Sequence, residues 1–180
     1  MGSSKWLSIE KDPNKELPAI TELPPPPNVT MIVPTSEQKG QTWRYTTAAP
    51  PADWMQPGFD DASWKTGTGM FGTKSTPGTR VETEWSTGDI YLRRSFEFKT
   101  IPVNPVLRVY HDEDAEIYVN GKLVKKLAGY VTEVINVPMD KADGVLREGK
   151  NTLAVHCRQT TGGQGIDVGI VVVEEAMSKE

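Results

Sequence analysis

The sequence predicts an all-β domain, either a sandwich or a barrel of short antiparallel strands. Residues 90–99 alternate apolar and polar side chains, which is the period of a half-buried strand. Asn120-Gly121 lies between two apolar runs and is typical of a two-residue hairpin, because a type I′ turn needs positive φ at both central positions. The other apolar runs are short and separated by Gly, Pro, Asp and Asn, without the strand–helix alternation of a parallel sheet.

The predicted strands follow one another along the chain, each bounded by turn-forming residues. A short helix or turn is predicted at residues 141–148, closed by Gly149. The last run, residues 166–173, is apolar on both faces, which indicates a central position in a sheet. Strands are predicted at residues 29–33, 41–45, 90–99, 106–111, 115–119, 122–127, 130–137, 151–158 and 166–173.

The first residues differ in composition from the rest. Residues 1–4 are similar to an expression-vector remnant and carry no information on the fold. Residues 24–27 are consecutive prolines, which fix φ and remove the N–H donors that a helix or a ladder uses. The sequence therefore predicts a tag remnant and proline-rich arm or linker over residues 1–28, and one folded domain over residues 29–180.

Composition and charge narrow the class of protein. The chain has 180 residues, 37% of them hydrophobic, and can bury a core without a disulfide or a metal. The net charge is −4 and no basic block occurs, so we expect no nucleic-acid partner. No apolar run is long enough to span a bilayer, so we expect no membrane partner. The single cysteine, Cys157, cannot form an internal disulfide and leaves the redox compartment open.

One segment matches a nucleotide-binding pattern by letter. Residues 67–72 read G-x-G-x-x-G, and a dinucleotide site needs such a loop to open a helix that faces the pyrophosphate. Residues 73–78 read TKSTPG and cannot form the first turns of a helix. We therefore reject the nucleotide interpretation and expect a glycine-rich surface loop.

Signals for catalysis are weak. No G-x-S-x-G nucleophile elbow occurs, and no spacing pairs either histidine with a serine. We expect His156 on a strand face, hydrogen-bonded to a neighbour. Sequence spacing cannot establish the pair of carboxylates that a glycosidase uses. One cysteine and two separated histidines do not make a structural zinc site. We expect no catalytic residue.

Residues 111–114 form an acidic turn at the end of a predicted strand. Its carboxylates could supply some of the six to eight oxygen ligands that calcium takes. The cluster lacks the rest of a calcium loop, and we favour a solvated turn whose aspartates bond to backbone N–H groups. No cofactor is expected, with a structural calcium ion as the alternative.

One tryptophan is a candidate sugar platform. Aromatic rings stack on the C–H faces of sugars while polar neighbours bond the hydroxyl groups. Trp85 lies close in sequence to Glu84 and Asp89, and this polarity favours a surface position. Three other tryptophans are expected in the core, namely Trp43, Trp54 and Trp64.

A polar loop between the last two predicted strands is the second candidate. Residues 158–167 offer guanidinium and amide groups with several donors, and their glycines let a ligand approach the backbone. The same composition is typical of a plain loop tip. The candidate ligand-binding set joins this loop to the Trp85 region and the acidic turn: Trp85, Glu84, Asp89, His111, Glu113, Arg158, Gln159, Gln164 and Asp167.

Four segments resemble, in order, motifs of the galactose-binding-like domains that accompany family 2 glycoside hydrolases and related multi-domain carbohydrate-active enzymes. Residues 59–65 (FDDASWK) are similar to FDDSxW, and residues 89–96 (DIYLRRSF) to a DIWLRRxF strand. Residues 115–121 (AEIYVNG) are similar to AxVYVNG, and residues 149–156 (GKNTLAVH) to GxNxLAVH. The resemblance implies a jelly-roll β-sandwich, galactose-binding-domain-like.

The motifs that carry the resemblance are structural. It implies that the Asp60-Asp61 turn positions Trp64 and that Asn120-Gly121 makes the hairpin. It maps no sugar-binding residue onto this chain. Members of the family bind sugars in some cases and only pack against a catalytic domain in others.

Two functions follow as expectations. The first is a non-catalytic carbohydrate-binding module of a glycoside hydrolase, with an oligo- or polysaccharide as its partner. The second is a structural module that orients the catalytic domain of the parent enzyme, to which the proline-rich arm would be the connection. An autonomous hydrolase ranks last. The hosts of such domains imply a secreted or periplasmic location.

Overall fold

The computed structural model describes residues 26–76, 79–140 and 144–174. Two β-sheets face each other across one hydrophobic core, and the described residues contain no helix. The prediction of an all-β sandwich is confirmed. In the same residues no helix is long and apolar enough to cross a membrane.

The first sheet is organised around its last strand, β12 (Gly165–Glu174). This strand pairs along its length with β7 (Pro105–Asp112) on one side, and with β1 (Asn28–Val33) and β4 (Phe71–Gly72) on the other. All pairs in this sheet are antiparallel except β4 with β5 (Thr83–Glu84). The central position predicted for the last strand is confirmed. The strands are β1 (Asn28–Val33), β4 (Phe71–Gly72), β5 (Thr83–Glu84), β7 (Pro105–Asp112), β10 (Ile135–Pro138) and β12 (Gly165–Glu174).

The second sheet is antiparallel throughout, in the order β3-β2-β6-β11-β8-β9. Its long central strands, β6 and β11, pair over ten residues each. The strands are β2 (Thr42–Thr46), β3 (Lys65–Thr68), β6 (Asp89–Phe98), β8 (Asp114–Val119), β9 (Lys122–Leu127) and β11 (Gly149–Arg158).

The alternation in β6 divides core from surface. Ile90, Leu92 and Phe98 are buried between the sheets, where each contributes about 1.5–3 kcal/mol of transfer free energy. Arg94 interrupts this face, and its guanidinium lies 5.2 Å from the centre of the buried Trp43 ring and donates to the Pro34 carbonyl. The same period turns the other β6 side chains to the outer face of the sheet.

The predicted hairpin is confirmed at β8 and β9. Asn120 and Gly121 have φ angles of 50° and 81°, the positive values that a type I′ turn requires. The Asn120 side chain donates to the Val145 carbonyl and to Asn151 Oδ1, both at 2.8 Å. The hairpin is therefore tied to the start of β11.

One predicted strand is wrong in part, and a segment predicted as a short helix or a turn forms a turn where it is described. The strand predicted at residues 130–137 begins only at Ile135, and Tyr130 forms an isolated bridge with Asp112. Residues 144–148 form a turn, one of the two possibilities predicted, and the chain bonds back to Asn151, whose Oδ1 accepts from the Arg147 backbone N–H. Residues 141–143 lie outside the described residues.

The glycine-rich segment is not a surface loop, contrary to prediction. It contains the end of β3 and all of β4, and Met70, Phe71 and Gly72 are buried. A Cβ on Gly72 would lie 2.2 Å from the Gln164 carbonyl oxygen, and one on Gly67 would lie 2.8 Å from the Phe71 ring. The glycines therefore allow close approach of neighbouring chain, which their letters alone do not distinguish from loop flexibility.

The predicted arm falls largely outside the described residues, which begin at 26. The boundary near residue 28 stays a prediction, and β1 begins at Asn28.

Candidate functional site

Several of the predicted binding residues meet at one end of the sandwich. We call this the loop end and define it by residues 85–88, 112–114 and 159–164. The backbone N–H of Gln159 donates to the Gly88 carbonyl at 2.7 Å, and the side-chain Nε2 of Gln164 donates to the Thr87 carbonyl at 2.7 Å. The sequence therefore brings the right segments together, and the question is which polar groups remain for a ligand.

Trp85 is not a platform, and this prediction is wrong. Its side chain is 2% exposed and belongs to the core between the sheets. Its Nε1 donates to Thr87 Oγ1 and to the Asp89 carbonyl, both at 3.1 Å. The polar neighbours that favoured a surface position instead satisfy the buried indole N–H. Glu84, beside it at the end of β5, is exposed.

The acidic turn is likewise held by internal bonds. His111 is buried, and its Nδ1 lies 2.9 Å from the Glu113 carbonyl and 3.0 Å from the Gly129 carbonyl. Both partners are acceptors, so Nδ1 carries the proton. Glu113 accepts from the Thr160 hydroxyl, which joins the turn to the neighbouring loop.

No metal centre accompanies this turn in the part of the chain that the structure describes, where no three His, Cys, Asp or Glu side chains are placed to hold an ion. Burial, followed by the nearby charge of Glu113, raises the pKa of Asp112.

The loop after β11 is held by hydrogen bonds to neighbouring segments and by one within itself. Gln164 is buried, and its backbone N–H donates to Thr76 Oγ1 at 2.8 Å. Gln159 Nε2 donates to the Gly162 carbonyl at 3.3 Å, while its Oε1 is buried without a hydrogen-bond partner among the described residues. Arg158 is exposed at the end of β11, opposite Asp89 of β6 and Asp114 of β8.

A second polar region lies on the outer face of the second sheet. We call it the outer patch and define it by Asp89, Tyr91, Glu116, Lys126 and His156. Strand register places four of these side chains in one row across β6, β11, β8 and β9, because Tyr91 pairs with His156, His156 with Glu116, and Glu116 with Lys126. The row combines an aromatic ring, an imidazole, a carboxylate and an ammonium group.

The outer patch is tightly organised. The Tyr91 and His156 rings stack in parallel with their centres 4.4 Å apart. His156 Nε2 lies 2.7 Å from Asp89 Oδ1, and its Nδ1 lies 3.9 Å from Glu116 Oε2. Lys126 Nζ donates to Glu116 Oε1 at 2.7 Å. Hydrogen bonds from Lys126 and from Tyr118 lower the pKa of Glu116. The predicted strand-face position of His156, bonded to a neighbour, is confirmed.

The loop between β2 and β3, residues 47–64, packs against the rest of this face and borders the patch. Trp54 lies edge-on to Tyr91 at 5.2 Å and to Tyr118 at 5.6 Å between ring centres. Arg93 holds the loop, donating to the Trp54 carbonyl and, at 2.9 Å, to Asp61 Oδ2. Trp54 and Arg93 are buried, whereas Tyr91 and Tyr118 are half-buried. The loop thus forms a wall beside an open row of side chains.

The predicted turn of this loop is present. The Ala62 amide donates to Asp60 Oδ1 at 3.0 Å, and the Trp64 amide to the Asp61 carbonyl at 3.0 Å. Trp64 stacks on Trp54 with ring centres 6.3 Å apart and is half-buried, not fully in the core as expected, whereas Trp43 and Trp54 are buried. The FDDASW motif, residues 59–64, therefore holds this loop in place beside the outer patch.

Asp167 lies elsewhere, on β12 in the first sheet. It is 4% exposed and lines a cleft of about 320 Å³. The Ser36 amide donates to its Oδ2 at 2.6 Å, and its Oδ1 has no hydrogen-bond partner among the described residues. Burial raises the pKa of Asp167 to about 6.

Of the outer patch, the sequence interpretation singled out Asp89 and His156 but missed Tyr91, Glu116 and Lys126. The period-two pattern shows that each faces away from the core on its own strand. It does not show that β6, β11, β8 and β9 are neighbours, which is what brings the row together.

The fold and the outer patch together define an all-β sandwich domain with a polar, aromatic surface on one sheet. No family model matches the chain, and no curated protein matches its sequence. Solved structures share the fold. A member of glycosyl hydrolase family 2 from Bacteroides cellulosilyticus is 17% identical with a TM-score of 0.55, over 81% of this chain and 20% of that chain.

Two β-glucuronidase structures from Bacteroides uniformis are also similar. One is 20% identical with a TM-score of 0.51, over 74% of this chain and 18% of that chain. The other, β-glucuronidase 2 covalently bound to cyclophellitol-6-carboxylate aziridine, is 19% identical with a TM-score of 0.54, over 81% of this chain and 18% of that chain. The chain thus spans about a fifth of the length of these structures. At such identities the likeness establishes the fold alone.

Proposed function

We propose that the chain is a non-catalytic accessory domain of a glycoside hydrolase and that it binds a glycan on the outer patch. The observation that carries the proposal is the row of Tyr91, His156 and Glu116 on an open sheet face. The fold is shared with about a fifth of the length of a family 2 glycosyl hydrolase and of a β-glucuronidase, and this likeness supports the kind of parent enzyme. A secreted or periplasmic location belongs to the same proposal.

The patch has the groups that sugar recognition needs. An aromatic face takes the C–H side of a sugar ring, and charged side chains bond its hydroxyl groups. The Asp89 and Glu116 carboxylates accept, and the Lys126 ammonium donates. The Glu116 carboxylate and the Lys126 ammonium offset each other's charge in the row, which suits a neutral polyol better than a strongly charged ligand.

The patch is also preorganised. The half-buried Tyr91 ring contacts the stacked His156 ring and, at 5.2 Å between ring centres, the Trp54 ring. A side chain already fixed in its bound position loses little conformational entropy when a ligand arrives. The geometry therefore favours binding by a rigid surface.

Binding is proposed instead of hydrolysis for a chemical reason. A glycosidase needs one carboxylic acid that stays protonated near neutral pH, which requires a raised pKa. In the outer patch the pKa of Glu116 is lowered by its hydrogen bonds from Lys126 and Tyr118. Glu116 is thus suited to accept hydrogen bonds and not to deliver a proton.

Affinity gel electrophoresis against a panel of polysaccharides tests the proposal. The domain should be retarded by at least one glycan, and Tyr91→Ala should weaken that retardation about tenfold in affinity, the scale of one aromatic contact. Tyr130→Ala is the matched control, because Tyr130 is 66% exposed and lies outside the patch.

The outcomes separate clearly. If folded Tyr91→Ala keeps its affinity while Tyr130→Ala loses it, the glycan binds near Tyr130 and not on the outer patch. No retardation of the folded domain on any glycan would overturn glycan binding. Circular dichroism of both variants shows whether the fold is intact.

A second function, that of a structural module, is favoured by a different surface. A groove of about 530 Å³ on the first sheet is lined by Ile32, Val103 and Val172 among others, and Val103 is 77% exposed. Asn28 of β1 pairs with Glu174 of β12 beside it. A flanking domain joined through either strand would begin next to this apolar groove, which suits an interdomain contact.

Val103→Asp tests this second function. The isolated domain should keep its melting temperature, because the side chain is exposed. In the longer parent protein the same change should lower the melting temperature of the catalytic unit. An unchanged parent protein would exclude this groove as the contact.

A further inference from the structure

A hollow of about 290 Å³ lies on the second sheet over β2, β3 and β6. We call it the arginine hollow and define it by Thr42, Arg44, Thr66, Arg93 and Ser95, which are among the residues that line it. Arg44 of β2 pairs with Arg93 of β6 and with Thr66 of β3, so these three side chains lie on one face of the sheet. Thr42 and Ser95 lie two residues away on the same strands and share that face. Two guanidinium groups and three hydroxyl groups therefore surround the hollow.

The pairing of Arg44 with Arg93 leaves one positive charge without a partner. Like charges directly opposite each other on antiparallel strands repel and destabilise the pair. The charge of Arg93 is offset by Asp61, whose Oδ2 accepts from Arg93 Nε at 2.9 Å. Arg44 forms no salt bridge within the described residues. Its Nη1 donates only to uncharged oxygens, the Trp64 carbonyl at 3.3 Å and Thr66 Oγ1 at 2.9 Å.

Both guanidinium groups keep donors that are open to the hollow. Arg44 is exposed, and its Nε and Nη2 make no hydrogen bond to any residue that the structure describes. Arg93 is buried, and its Nε and Nη1 are bonded to Asp61 and to the Trp54 carbonyl. Its Nη2 has no partner in the same residues. It is also not sealed from solvent, because the sealed and unbonded side-chain atoms there belong to Gln159 and Asp167.

The other charged groups nearby do not reverse this excess. Glu97, two residues beyond Ser95 on β6, is directly opposite Lys150 of β11, so this pair adds no net charge. Asp60 is exposed in the loop before β3, and Lys65, also exposed, is the first residue of β3. The hollow therefore combines a positive charge, unused N–H donors and hydroxyl groups, which favours an anion as ligand.

We propose that the arginine hollow binds a small oxyanion, with Arg44 as its principal charge partner. Carboxylate and sulfate share the chemistry that a guanidinium group recognises, which is a negative charge spread over two or more oxygens. Arg44 donates to the anion through Nε and Nη2, Arg93 through Nη2, and the exposed hydroxyl groups of Thr42 and Ser95 complete the shell. The anion also relieves the repulsion between the two arginines. The proposal is independent of glycan binding on the outer patch.

The test is an NMR titration of the ¹⁵N-labelled chain with sodium acetate, sodium sulfate and acetamide. Sodium chloride keeps the ionic strength constant at neutral pH, so that general screening does not imitate binding. Acetate or sulfate should shift the backbone amides of residues 42–44, 66 and 93–95 in a saturable way. Acetamide has the shape of acetate without its charge and should bind at least about tenfold more weakly. Comparison of the two anions shows whether a planar or a tetrahedral group fits better.

Three variants locate the site. Arg44→Gln should weaken anion binding about tenfold, since it removes the unpaired charge and its donors. Arg44→Lys keeps the charge but loses the planar fork and should weaken binding about threefold. Ser95→Ala removes one exposed hydroxyl group and should also weaken binding about threefold.

Arg158→Gln is the matched control for these variants. It changes the net charge by the same amount as Arg44→Gln, and Arg158 is exposed at the end of β11, opposite Asp89 and Asp114. It should leave the affinity for acetate and sulfate unchanged.

Equal binding of acetamide and acetate, with no binding of sulfate, would overturn the proposal. Equal weakening in Arg44→Gln and Arg158→Gln would also overturn it, because the effect would then come from net charge alone. Should Arg44→Gln fail to fold, Ser95→Ala decides: affinity equal to that of Arg158→Gln rejects the hollow. The absence of a saturable shift with either anion likewise rejects it. None of these outcomes depends on whether the outer patch binds a glycan.

Discussion

The loop end and the outer patch have similar compositions and opposite uses of polar groups. At the loop end Trp85, His111 and Gln164 are buried, and their polar atoms bond to neighbouring loops. In the outer patch the side chain of His156 is 21% exposed and shares its bonds with half-exposed carboxylates. A polar segment can bind a ligand only through the donors and acceptors that are not already used in hydrogen bonds within the protein.

The same contrast governs the ionisable groups. Burial raises the pKa of Asp112 at the loop end, while hydrogen bonds from Lys126 and Tyr118 lower the pKa of Glu116 in the outer patch. Desolvation dominates where loops close over a carboxylate, and donors dominate where a strand face stays open. The two regions should therefore respond oppositely to mutation and to pH.

The largest expected effect is at the loop end. Trp85→Ala should lower the free energy of unfolding by about 3–5 kcal/mol, because a buried indole leaves a cavity between the sheets. Urea denaturation measures the change. Tyr130→Ala, which truncates an exposed aromatic ring, should change it by less than about 0.5 kcal/mol. An unchanged free energy of unfolding in Trp85→Ala would mean that the indole is not part of the core and is free to contact a ligand.

An intermediate effect is expected from a buried amide at the same end. Gln164→Ala removes the bond to the Thr87 carbonyl and should lower the free energy of unfolding by about 1–2 kcal/mol. Gln38→Ala is the matched control, since Gln38 is exposed, and should have almost no effect. If both variants change the free energy of unfolding equally, the Gln164 side chain does not stabilise the loop end.

The smallest effect sharpens the electrostatic contrast. A raised pKa means that the charge of Asp112 destabilises the fold at neutral pH, so Asp112→Asn should stabilise it there. A lowered pKa means that the charge of Glu116 stabilises the fold above its ordinary pKa of about 4.3, so Glu116→Gln should destabilise it at pH 7. Each difference should be about 0.5–1 kcal/mol.

Both differences should shrink as the pH falls and the wild-type carboxylates become protonated. Urea denaturation at pH 7 and at pH 3.5 measures them. Changes of the same sign at pH 7 would contradict the assignment of desolvation to one region and hydrogen bonding to the other.

The sequence predicts the fold well where a single strand or turn shows a local signal, such as a period of two or a characteristic turn pair. The alternation of β6 and the Asn120-Gly121 turn each fix a local geometry, and both are confirmed. The short strands β3, β4 and β5 were missed, because two to four residues are too few to show a period, and β3 and β4 also contain glycine. Their existence depends on the partner strand.

The candidate site was less predictable for the same reason. Polar neighbours in sequence favoured a surface position for Trp85, yet Thr87 and Asp89 turn back to bond its indole. Tyr91, Glu116 and Lys126 are far apart along the chain and meet only through the pairing of β6, β11, β8 and β9. Local composition reports neither the direction of a loop nor the neighbour of a strand.

The pairing of the first strand with the last one has a consequence for synthesis. Because β12 joins β1 to β7, a nascent chain on the ribosome cannot complete the first sheet until its final strand has emerged. Until then β1 and β7 expose unpaired backbone edges that other chains can join. Translation that stops before Gly165 should therefore yield an aggregating product, and not a smaller stable domain.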